Sequence, residues 1–181
     1  MLQQQQTQSV SANQQDIINI ITEEANRYGI DPQIMVTMAR NESGLDPNIV
    51  NESTNATGLF QFLPSTWRGN NKGIGMVQKY SNEGLTLEGI SDPRQNARAA
   101  ALYLREHQNA FTNAGVPINA ASLYMGNFLG TQGALDFFSN LQSNPNQSAA
   151  SVFPVAASKN ETIFYTNGRE RSLQEVYDIM G

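Results

Sequence analysis

Twice in this chain an Asp-Pro pair opens a run of apolar residues at helical spacing, at Asp31-Pro32 and again at Asp92-Pro93. The Asp side chain can accept from the first free amides of a helix, and proline at the first helical position loses no hydrogen bond and presets φ. After the first pair, Ile34, Met35, Met38 and Ala39 fall on one face, and Gly44 then breaks the pattern. After the second, Ala97, Ala100, Ala101 and Leu104 predict a helix to about Ala110. Ahead of them, Asn13 is placed to cap a helix with Ile17, Ile18, Ile20, Ile21 and Ala25 as its stripe, running to about Tyr28 and ended by Gly29. Such spacing commits the chain to a mainly α fold.

Further along, the elements shorten. Residues 46–57 are polar and turn-rich, and residues 64–91 carry five scattered glycines and read as irregular. Asn119 to Phe128 and Thr131 to about Leu141 read as two helices. Residues 151–163 are helical in part, interrupted by Pro154, and Asn167-Gly168 is a turn signal. Ser172 followed three residues later by Glu175 is a capping box for a last helix. Residues 1–13 are rich in Gln and Ser and are expected to form a disordered arm ahead of one domain over 14–181.

Within this frame one acid stands out. Glu42 lies at the end of the first Asp-Pro helix, seven residues after Met35, so the apolar face can carry it inward. A carboxyl at a helix C-terminus faces the negative end of the macrodipole, and apolar surroundings desolvate it. Both effects favour the protonated form, which can deliver a proton to a leaving oxygen. Beyond it come Gly58-Leu59-Phe60-Gln61-Phe62 and Pro64-Ser65-Thr66-Trp67.

These residues resemble the soluble-lytic-transglycosylase (SLT) domain. Glu42-Ser43 matches its Glu-Ser motif, Gly58-Leu59-Phe60-Gln61 its Gly-Leu-Met-Gln motif, and Tyr124 the Tyr of its Ala-Tyr-Asn motif. After Tyr124 the usual Asn is replaced by Met125, and Asn127 follows two residues later. The resemblance implies a lysozyme-like fold of two lobes around a substrate groove, with Glu42 on its floor. It implies cleavage of peptidoglycan between N-acetylmuramic acid and N-acetylglucosamine. Glu42 would act as general acid and then base, leaving 1,6-anhydromuramic ends. Gln61, Phe62, Tyr124 and Asn127 are the expected substrate-binding residues, with Ser43 either bonding the substrate or the Glu42 carboxyl, or capping the helix end. Phe62 is open between groove and core, Leu59, Phe60 and Trp67 read as core, and Met125 would offer an apolar contact in place of an amide.

Two other readings compete. A goose-type lysozyme-like hydrolase would use water and needs a second carboxylate, for which Asp46 and Glu52 are the nearby candidates. Asp46 precedes Pro47 and suits a turn, while Glu52 lies in a polar loop. A weakly active wall-docking component of a virion or secretion channel is the non-enzymatic alternative.

The remaining features narrow the partners. A net charge of −5, from 11 basic and 16 acidic residues, argues against nucleic acid. It also places recognition in a shaped groove rather than in long-range attraction to an anionic wall. There is no cysteine and only one histidine, His107, which reads as exposed together with Arg94, Arg98 and Arg105. No His/Cys/Asp cluster has metal-ligand spacing, and neither metal nor cofactor is expected. No apolar run approaches membrane-spanning length, and the domain is expected to act as a monomer in the periplasm or cell wall. The first residues lack the basic and apolar regions of a signal peptide. The expectation is therefore either an excised domain with a new Met, or a chain that reaches the wall by a phage particle, a holin-type pore or a secretion machine.

Overall fold

In the computed structural model, the backbone is described from Leu2 and the side chains from Asn13 to Gly181. The arm expected over residues 1–13 lies, apart from Asn13, outside the described side chains. The chain divides into two compact units, residues 1–105 and 106–181.

The first unit is built on α1 (Leu2–Tyr28) and α2 (Pro32–Ser43). Asn13 lies inside α1 rather than capping it. Ile21, Ala25 and Tyr28 are buried on its inner stripe. The α2 start follows the Asp-Pro signal: Asp31 accepts from the Gln33 amide at 2.9 Å, with Pro32 in the first turn. Its end follows Gly44, whose φ of 62° lets its amide return to the Ala39 and Arg40 carbonyls. Met35, Val36, Met38 and Ala39 are buried.

Residues 64–91, expected to be irregular, hold more structure than that. Helix α3 (Pro64–Arg68) leads into a two-residue antiparallel hairpin, β1 (Gly69–Asn70) and β2 (Gly73–Ile74), then α4 (Met76–Lys79) and two 3-10 turns. Two of the glycines that suggested irregular structure serve close approach: a Cβ on Gly75 would collide with the Gly69 amide nitrogen. Trp67 is 1% exposed and its indole N–H donates to the Thr86 carbonyl at 2.9 Å, so it is core as expected.

Helix α5 (Pro93–Ala114) begins at the second Asp-Pro pair and runs about one turn beyond the expected end. The expectation that its arginines simply face solvent is overturned for two of them. Arg98 holds the buried Glu24 of α1 through two hydrogen bonds of 3.0 and 2.9 Å, and Arg94 reaches the same carboxylate at 3.1 Å. Burial pushes the Glu24 pKa up, but the hydrogen bonds from Arg98 and Arg94 outweigh it and hold the group below its ordinary value. Arg105 lies over the Tyr28 ring, 5.1 Å from its centroid.

In the second unit, α6 (Ala120–Ser143) starts at Asn119, which forms a capping box with Ser122. It is kinked at Gly130 (φ 76°, ψ 169°), so the two helices expected on either side of that glycine are both present. Helices α7 (Ala149–Val152), α8 (Pro154–Lys159) and α9 (Glu161–Phe164) follow, with the first break set by Pro154 and the second at Asn160. A hairpin of β3 (Tyr165–Thr166) and β4 (Arg169–Glu170) turns at Asn167-Gly168, both with positive φ. The last helix, α10 (Leu173–Met180), has the Ser172–Glu175 capping box and packs on α6.

His107 overturns another expectation. It is fully buried, with Nδ1 2.8 Å from the Thr131 hydroxyl and its ring stacked on Phe111. A Cβ on Gly126 would stand 2.8 Å from the His107 ring, so only glycine lets α6 pass this close. A lone histidine flanked by Arg105 and Glu106 carries little local sign of this, because Gly126 and Thr131 come from another helix.

Candidate active site

Glu42 is the penultimate residue of α2, two residues before the Gly44 cap. The last carbonyls of the helix point past it, so a carboxylate there meets their partial negative charge. Its side chain stays exposed on one side. Enough protein surrounds the carboxyl that burial raises its pKa above the ordinary value. Among the described residues no cation and no hydrogen-bond donor pairs with it. An acid that is reachable, partly desolvated and unpaired keeps its proton to higher pH than an ordinary glutamate and can release it to a substrate oxygen.

Ser43 is tied down rather than open. Its hydroxyl lies 3.0 Å from the Ala39 carbonyl and 2.8 Å from that of Leu59, joining the end of α2 to the Gly58–Phe62 turn. These two contacts suit the helix-end reading of Ser43 and add a link across to the second motif.

That turn is a compact loop closed by Thr57 and Phe62, whose amides and carbonyls exchange hydrogen bonds of 2.9 and 3.2 Å. The Gly58 amide reaches the Ile49 carbonyl at 2.9 Å. Gly58 has φ of 83° and Gln61 has φ of 51°, a left-handed conformation that is uncommon for a side chain of that size. The Gln61 side-chain amide donates to the Gly58 carbonyl at 2.9 Å and the Ile49 carbonyl at 3.1 Å. Both amide hydrogens are thereby spent on the loop, and Oε1 is the acceptor those bonds leave over. Leu59 and Phe60 are buried, as expected, and Phe62 is buried edge-on against Trp67 with ring centroids 5.5 Å apart.

Neither nearby acid has the setting of a partner carboxylate. Asp46 accepts from the Asn48 amide at 2.9 Å and organises the turn after α2. Glu52 is exposed in the polar loop.

Tyr124 and Asn127 belong to the second unit. They stand three residues apart on α6, which puts them on one helical face, and both are half-buried. Met125 is rotated away and fully buried, so the expectation that it presents an apolar contact in place of the usual amide is corrected. Asn127 is the amide that shares a face with Tyr124.

One residue of this neighbourhood escaped the sequence reading. Asn96, fully buried on α5, accepts from the Phe60 amide at 2.9 Å and donates to the Thr57 and Ile90 carbonyls at 3.1 and 2.7 Å. Its signal was present: an amide at the head of the apolar row that continues through Ala100 and Leu104.

Among the described residues no three His, Cys, Asp or Glu side chains are grouped to hold a metal ion, and no helix is long and apolar enough to cross a membrane. The family model described as Transglycosylase SLT domain matches residues 19–128, a stretch that includes Glu42, Gln61, Tyr124 and Asn127. The chain belongs to this family, with its mainly helical, lysozyme-like fold.

Proposed function

From its membership of the transglycosylase SLT family, whose domains act on the peptidoglycan of the cell wall, we propose that this chain is a peptidoglycan lytic transglycosylase with Glu42 as its single acid-base group. The observation that carries the reading is the unpaired Glu42 carboxyl at the C-terminus of α2, with its pKa raised by burial. The protonated carboxyl gives its proton to the glycosidic oxygen as the bond from N-acetylmuramic acid breaks. The 2-acetamido oxygen of the muramyl ring stabilises the anomeric carbon, in the manner of substrate-assisted glycosidases. Glu42, now a carboxylate, takes the proton of the muramyl 6-hydroxyl, and that oxygen closes the 1,6-anhydro ring. Glu42 ends protonated as it began, and no water is consumed.

The other groups bind and orient. Gln61 offers its Oε1 to a sugar hydroxyl while its amide is fixed on the loop. Within the second unit, Tyr124 and Asn127 on one face of α6 are the proposed sugar-binding pair. Ser43 acts by fixing the helix end, and Phe62 by supporting the loop from below. The domain acts as a single chain over residues 14–181. Digestion of purified peptidoglycan, with mass analysis of the released muropeptides, tests the reading. Anhydro ends support it, and an inert wild-type protein rejects it.

A further inference from the structure

We propose that Asn96 is a positioning residue for the glycan-cleaving site, holding the Gly58–Phe62 turn in the one conformation that presents Gln61. This rests on the function proposed above for that site.

Asn96 is fully buried, and its side chain bonds to three backbone groups. Two of them, the Thr57 carbonyl and the Phe60 amide, bracket Gly58 and Leu59. A Cβ built on Gly58 would stand 2.5 Å from the Asn96 amide nitrogen and 2.8 Å from the Ile90 carbonyl, so the amide packs flush on the glycine backbone. Only a group with one acceptor and two donors on a short stem satisfies this set. Aspartate keeps the acceptor and loses both donors, and leucine keeps the shape and loses all three bonds.

The turn needs such an anchor. Gln61 sits at a φ of 51°. A left-handed conformation at a residue with a side chain persists where the surroundings over-determine it. Hydrogen bonds reach the turn from two helices: Asn96 of α5 holds Phe60 and Thr57, and Ser43 of α2 holds the Leu59 carbonyl beside Glu42. Loss of the Asn96 bonds frees the peptide groups on both sides of the Gly58-Leu59 pair, and Gln61 moves with them.

The test uses Asn96→Leu and Asn96→Asp in the whole chain, with Asn96→Ser held in reserve should Asn96→Leu not fold. The control is Val176→Ala in α10, a core change in the other unit, assayed at equal distance below its own Tm. Two readouts are taken where circular dichroism shows the variants folded. The first is kcat at saturating glycan, expected to fall about tenfold or more in the Asn96 variants, as misplacement of positioned groups does, and to stay near wild type in the control. The second is amide hydrogen exchange, expected to quicken at Phe60 while the core amides of α2 keep their protection. Folded Asn96 variants with wild-type kcat would overturn the proposal. So would unchanged exchange at Phe60, or a loss of kcat matched by the control. If the wild-type protein cleaves no peptidoglycan, the enzymatic reading falls first. The Phe60 exchange then still decides whether Asn96 holds the turn.

Discussion

The Ser43 hydroxyl stands 2.8 Å from the carbonyl oxygen of Leu59, joining the residue after the candidate acid to the middle of the second motif. Two short segments separated by a polar loop thus become one rigid piece. Ser43→Ala removes this donor and leaves a part-buried carbonyl short of a partner. The expected cost is about 1 kcal/mol of stability, read from urea unfolding, with a fall in kcat. An unchanged urea midpoint and unchanged kcat would show that the tie does not matter.

Glu42→Gln is expected to keep the fold and abolish cleavage. Glutamine is nearly isosteric but has no acidic proton, and general acid catalysis is worth at least about a hundredfold in rate. The same change is expected to raise Tm slightly at neutral pH. A carboxyl whose folded pKa lies above its unfolded value binds protons more tightly when folded, so it loses stability as pH rises through that window. A variant that clears cell walls at near wild-type rate would remove Glu42 from the mechanism.

The same raised pKa fixes the sign of the activity profile. The rate is expected to decline on the alkaline side as Glu42 ionises, with the limb displaced above the ordinary glutamate range. The check is kcat/KM against pH on soluble glycan fragments. A rate that climbs steadily well past neutrality contradicts a protonated Glu42.

His107 gives stability its own pH dependence. Burial lowers its folded pKa from 6.5 to about 4. Between these values the unfolded chain binds a proton that the folded chain refuses, so stability falls as pH drops through this window. The loss is about 3 kcal/mol between neutral pH and pH 4. Urea unfolding at several pH values is expected to show this slope in the wild type and a flatter one in His107→Gln. Equal slopes would mean that His107 titrates normally.

Much of this architecture was legible because local chemistry decided it. The Asp-Pro starts, the Gly44 stop, the Asn119 and Ser172 caps and the Asn167-Gly168 turn each depend on neighbours within a few residues. What escaped depends on partners distant in sequence. Arg98 was expected in solvent because its acceptor, Glu24, lies on another helix. His107 owes its burial to Gly126 and Thr131, and Asn96 its role to a loop more than thirty residues earlier. Residues 64–91 looked irregular because glycine loosens a helix pattern, and the close backbone contact that Gly69 and Gly75 permit leaves no periodic trace. At the site, Glu42 and Gln61 were visible through their motifs, whereas the burial of Met125 follows from the register of α6.

The central claim is that one carboxyl, without a partner, cleaves the glycan. Glu42 cannot easily protonate the leaving group and also activate a water on the opposite face, but it can serve a 6-hydroxyl tethered to the reacting ring. The most direct measurement is mass spectrometry of muropeptides released from peptidoglycan in heavy-oxygen water. The account predicts 1,6-anhydromuramic ends, lighter than hydrolysed ends by one water, about 18 mass units, and free of label because the acceptor is the tethered hydroxyl. Reducing ends carrying the heavy oxygen as the main product would contradict it and would return Asp46 and Glu52 as candidates for a base.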